Sequence, residues 1–141
     1  MTLGDTFEAD ILKLIFQAIA IANIADNAAS SPAGAITVAL HTADPGEAGS
    51  QGTSETAYTG YTRVSVSRTT SGWAISGSTI SPSVNIDFTE CAGSPGNTLT
   101  HWSVGTGTSN KMIGSGTLNP VIVVATGVIP RIKTSSTIVF D

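Results

Sequence analysis

His41 and Asp44 stand three residues apart, near enough for an imidazole to act as a base and a carboxylate to orient it. His41, however, closes an alternating segment on the face opposite Val38 and Leu40, where a hydrogen-bonded histidine is ordinary. Asp87, Glu90, Cys91 and His101 offer the ligand types of a divalent-cation site. Their spacing lacks the tight repetition of metal motifs and reads as polar residues at a strand end and in a loop. Gly105, Gly107 and Lys111 lack the glycine spacing and the following helix of a phosphate loop. Gly114, Ser115 and Gly116 lack the five-residue frame of a nucleophile turn. Glycoside hydrolysis asks for two carboxylates across a cleft, but four of the ten acidic residues, Asp5, Glu8, Asp10 and Asp26, belong to a helix or its end. The expectation is a protein that is not an enzyme and that has no cofactor and no metal.

Recognition could instead rest on aromatic rings, which give large contact area at low entropic cost. Trp73, Trp102 and Tyr61 fall within strand patterns and read first as core, whereas Tyr58 lies in a long loop where contact and core readings balance. The formal net charge is -4, and the basic residues (Lys13, Arg63, Arg68, Lys111, Arg131, Lys133) are scattered rather than clustered. Nucleic acid rewards dense Lys/Arg patches, so no nucleic-acid partner is expected. Charged residues make up 11% of the chain, against roughly 25% in ordinary globular domains. A surface so poor in charge suits a protein packed among neighbours. The lone Cys91 excludes an internal disulfide.

These residues must be positioned by a chain of 141 residues, a single-domain length. Residues 4–25 read as a helix, with Asp5 as cap, Glu8 as its reciprocal partner and acidic residues in the first turn. Beyond Lys13 its apolar residues (Leu14, Ile15, Phe16, Ile19, Ile21, Ile24) run nearly all round, a pattern that asks for burial on most sides. One small domain covers perhaps half of a helix, so other subunits are expected to cover the rest. A membrane span needs about 20 apolar residues, and this segment is shorter and is broken by Lys13, Gln17 and Asn23. A signal peptide needs a basic leader where Asp5, Glu8 and Asp10 stand. No membrane association is expected, and synthesis in the cytoplasm follows.

After a loop over 26–34, residues 35–42 alternate with Ile36, Val38 and Leu40 on one face, predicting a strand with one buried side. Residues 43–60 form a long polar loop with a turn at Asp44, Pro45 and Gly46, and loops of this length are functional or mobile. Strands follow at 61–68, 73–76, 83–88, 99–105, 111–118, 121–125 and 131–140, separated by turn residues. In 83–88, Val84, Ile86 and Phe88 form the dry face. The predicted fold is mainly β: an N-terminal helix and linker over 1–34, then a single antiparallel β-sandwich over 35–141 with jelly-roll or Greek-key-like topology.

The order of segments resembles a family of small tailed-phage virion proteins labelled tail fibre, minor tail or head decoration proteins. The resemblance is carried by the helix, VALHTADPGEAG (Val38 to Gly49), YTGYTRVSV (Tyr58 to Val66) and ISPSVNIDF (Ile80 to Phe88). It continues through TLTHWSVG (Thr98 to Gly105), KMIGSGTL (Lys111 to Leu118) and the final strand Thr137 to Asp141. It implies a jelly-roll-like virion building block, often trimeric, with no catalytic residues to carry over. Small size and the lack of fibre repeats favour a capsid decoration, or cement, protein bridging subunits of the major capsid protein. The alternative is a tail or tail-fibre component, as an adaptor or receptor-binding tip, with tail proteins as partners. On either reading the protein resides in the virion and forms a homotrimer, with Leu12, Ile15, Phe16, Ile19, Asp44, Pro45 and Tyr58 as the candidate partner interface.

Overall fold

The computed structural model describes residues 5–21, 33–93, 97–107 and 110–140. It is mainly β, with an N-terminal helix in front of antiparallel sheets packed as a sandwich. The elements are α1 (Asp5–Gln17), β1 (Ala35–His41), β2 (Val64–Ser67), β3 (Trp73–Ser76), β4 (Thr79–Pro82), β5 (Ile86–Asp87), β6 (Thr98–Gly105), β7 (Met112–Val123), β8 (Arg131–Ile132) and β9 (Ile138–Val139). A four-stranded sheet runs in the order β2-β1-β6-β7, a three-stranded sheet in the order β3-β4-β9, and β5 pairs with β8. Ile36, Val38, Leu40, Leu99, Trp102 and Val104 from the larger sheet meet Trp73, Ile80 and Ile138 from the smaller one in one buried cluster.

The helix joins that cluster instead of standing apart. Leu12 and Phe16 are buried, and the Phe16 ring meets Trp73 edge-on at 5.2 Å. The expected helix over 4–25 stops at Gln17, because Ala18 turns to φ 55°. Gly4 and residues 22–25 lie outside the described residues, as do the Asp5 side chain and residues 26–32 of the loop. The stop has a tertiary cause. The Arg68 guanidinium donates to the carbonyls of Leu14 (2.6 Å), Ile15 (2.5 Å) and Ala33 (2.7 Å), and Gln17 Nε2 donates to the Trp73 carbonyl. Carbonyls that a longer helix would satisfy internally are thus taken by a strand-end arginine.

Several strands differ from the sequence expectation. Residues 111–118 and 121–125 were expected as two strands but form the single β7, which runs through the cis Asn119–Pro120 bond. Proline is tolerated there because β7 is an edge strand and its missing N–H leaves no ladder bond unmade. Residues 131–140 split into β8 and β9, which belong to different sheets. The expected strand 83–88 shrinks to β5, and Val84 is 60% exposed instead of facing inward. β4 was missing from the sequence reading. It pairs with β3 in a hairpin closed by Gly77 at φ 57°, a turn conformation that suits glycine.

Sandwich closure requires two glycines. A Cβ at Gly114 would lie 2.7 Å from the Phe140 ring, and one at Gly116 would lie 2.8 Å from the Thr137 carbonyl oxygen. Their lack of side chains lets the C-terminal segment cross directly over β7.

Candidate interaction surface

His41 is fully buried, not set on an open face. β1 is covered on both sides because the long loop folds back over the second one. Thr56 N–H donates to the Leu40 carbonyl, Thr42 N–H to the Ser54 carbonyl, and Gln51 N–H to the Asn110 carbonyl. Beneath this cover His41 Nδ1 lies 2.8 Å from the Thr53 carbonyl oxygen and Nε2 lies 2.7 Å from Ser103 Oγ. A carbonyl can only accept, so Nδ1 carries the proton and Nε2 accepts from the serine hydroxyl. Gln51 extends the network, donating to the Thr37 carbonyl and to Ser103 Oγ while accepting from the Thr37 hydroxyl. Burial holds the His41 pKa below 6.5, so the imidazole favours its neutral form. This polar network anchors the loop to β1 and β6.

A second anchor lies alongside. Glu55 receives two bonds of 2.7 Å from Arg63 and one of 2.8 Å from the Tyr61 hydroxyl. Burial opposes ionisation of Glu55, but the bonds from Arg63 and Tyr61 outweigh it and hold the carboxyl below its ordinary range. Tyr61 also accepts from the Leu40 N–H, and its ring lies edge-on to Tyr58 at 5.3 Å. Tyr58 is buried, its hydroxyl donates to the Thr89 carbonyl, and burial pushes its pKa up to about 12.

The residues proposed for chemistry are not gathered into one site. Asp44 is exposed and accepts from the Gly46 N–H, closing a turn away from His41. Asp87 pairs bidentately with Arg131, at 2.5 and 2.8 Å. Cys91 is buried with its thiol directed at the Gly93 carbonyl, and His101 Nδ1 lies against the Thr100 hydroxyl. Among the described residues, no three His, Cys, Asp or Glu side chains stand close enough to share a metal ion. Trp73 and Trp102 are fully buried, in line with the core reading.

The candidate partner interface divides. Leu12, Phe16, Pro45 and Tyr58 are buried within this chain, and Ile15 is partly buried against its core, so these side chains already have neighbours. Ile19, at 44% exposure, and Asp44 remain at the surface. Sequence reading missed the other exposed apolar residues, Val84, Val121, Val123, Ile129 and Val139. Val121 and Val123 share one side of β7 through the two-residue strand period. Two shallow clefts flank the place where residues 137–138 cross β7. No helix among the described residues is long and apolar enough to cross a membrane.

This layout has a counterpart among known protein families. The family model described as Podophage GP4 fiber I protein gp80 matches residues 5–139, almost the whole chain. The chain belongs to this family. It is accordingly a member of a family of tailed-phage virion structural proteins, and the fibre-family match spans helix and sandwich alike. No curated protein matches the sequence. In this fibre-family chain the named residues chiefly serve packing and loop anchoring, and exposed valines and the two clefts lie along β7.

Proposed function

We propose that this protein is a non-enzymatic building block of the tail fibre of a podophage, working through contacts with further copies of itself and with neighbouring tail proteins. The observation that carries the reading is the family match over residues 5–139, whose description names a fibre protein. The internal chemistry is consistent with it. His41, Ser103, Gln51, Glu55, Arg63 and Tyr61 bond to one another or to the backbone, which suits a rigid module better than a reactive one. The match favours the fibre over capsid decoration, which rested on small size and the lack of fibre repeats.

Quantitative mass spectrometry of purified particles tests this, together with labelling of the protein in electron micrographs. The expected result is a few copies per hundred of the major capsid protein, with label on the tail. Near-equimolar copies with label over the head would overturn the fibre reading in favour of decoration.

A further inference from the structure

The two clefts along β7 carry opposite charge. The first, about 500 Å³, lies against the second half of the strand, and its lining includes Val121, Val123, Arg131, Lys133 and Ser135. The second, about 400 Å³, lies against the first half, with Asp44, Glu47, Met112, Val139 and Phe140 in its lining. The crossing segment separates them, since Thr137 borders the first and Ile138 the second. Each cleft also presents exposed valine, at 47% and 66% for Val121 and Val123 and at 57% for Val139.

Part of this charge has no ion pair within the chain. Lys13 pairs with Asp10, Arg63 with Glu55 and Arg131 with Asp87, and Arg68 is bonded to backbone carbonyls. Lys133 has no ion pair among the described residues, and the same holds for Asp44, Glu47 and Lys111, the last exposed next to Met112 at the border of the second cleft. The first cleft therefore offers one free ammonium beside two exposed valines. The second offers two carboxylates without an ion pair, that of Asp44 also accepting the Gly46 N–H, beside one exposed valine. In a chain with so few charges, this sorting onto the two ends of one strand makes the two surfaces complementary.

We propose that the basic cleft of one copy docks on the acidic cleft of the next, in a head-to-tail contact between identical chains. A head-to-tail contact joins two different patches, so both clefts of a copy are used, and the rotation between copies decides whether a ring closes. The contact is made by side chains and not by extension of the sheet, because Pro120 interrupts the row of N–H donors along the β7 edge. Valine burial supplies attraction, while the carboxylates and Lys133 set the pairing and exclude like-to-like docking. The proposal names the self-contact within the fibre-component reading and rests on that reading for its setting.

Sedimentation equilibrium on the full chain tests it, with Lys133→Glu and Glu47→Lys made separately, mixed at equal amounts, and combined in one chain. Both positions are exposed, and unchanged circular dichroism and melting establish that each variant is folded. Wild type is expected to self-associate below about 100 µM. Each single reversal is expected to weaken association by about tenfold at low salt, a difference that shrinks in about 1 M NaCl. The mixture and the double variant are expected to regain most of the affinity, because opposite charges face each other again. A wild type that stays monomeric, single reversals without effect, or a mixture that fails to recover would overturn the proposal. The fibre reading is judged separately: a monomeric chain located on the tail refutes only the contact, and a self-associating chain located on the head refutes only the fibre assignment.

Discussion

Replacing Arg68 by alanine isolates the force that docks the helix. Its guanidinium spans α1 and the chain entering β1 through bonds to Leu14, Ile15 and Ala33. The last turn of α1 carries no basic residue of its own, so its carbonyls depend on this donor. Hydrogen bonds from charged groups contribute more than neutral ones, but Arg68 is only half-buried, so about 1 kcal/mol per bond is appropriate. The expected loss is about 3 kcal/mol, or a fall in Tm of about 10 °C for a domain of this length. Arg68→Lys should recover little, since an ammonium cannot fork across three carbonyls. Thermal unfolding gives the magnitude. Hydrogen exchange of the α1 amides, with fluorescence of Trp73 beside Phe16, tells whether the helix loosens before the sandwich does. Unchanged melting together with unchanged protection of α1 would refute the claim that Arg68 holds the helix end.

Acidification should weaken the loop anchor. Burial sets the folded pKa of His41 below 6.5, so its contribution is complete above that pH and is lost as pH falls through the folded value. Denaturant unfolding should accordingly show falling stability from about pH 7 downward, and His41→Gln should flatten that region, leaving the Glu55 transition at lower pH. At the alkaline end both tyrosines resist ionisation: burial raises Tyr58 to about 12 and pushes Tyr61 higher still. Tyrosinate absorbance should therefore stay flat through about pH 10.5 in the folded protein and rise there once denaturant is added; a normal titration in the native state would disprove their enclosure. Gly116→Val should cost about 1–3 kcal/mol in chemical denaturation, since its side chain would collide with the Thr137 carbonyl and Ile138. Ala18→Gly should gain about 0.5 kcal/mol by relieving the left-handed backbone at φ 55°, and a loss of stability would show that the methyl group matters more than the strain.

The sequence by itself determined the class of the fold, because the dry face of a strand is written in the alternation of its own residues. Ile36, Val38 and Leu40 marked β1, and the turn residues on either side of 99–105 marked β6, with boundaries close to those observed. The core placement of the two tryptophans was legible from their strand positions. What only the tertiary structure decided depended on residues far apart in the chain. Arg68 ends α1 from more than fifty residues away, and the loop that buries His41 does so through Gln51 and Ser103. Edge position lets β7 pass through Pro120, whereas residues 131–140 divide because their two ends belong to different sheets. The division of surface charge into a basic and an acidic cleft likewise arises only when Asp44, Glu47 and Lys133 are brought to opposite ends of one strand. Periodicity reports which side of an element is dry, but which element covers it is settled by long-range packing.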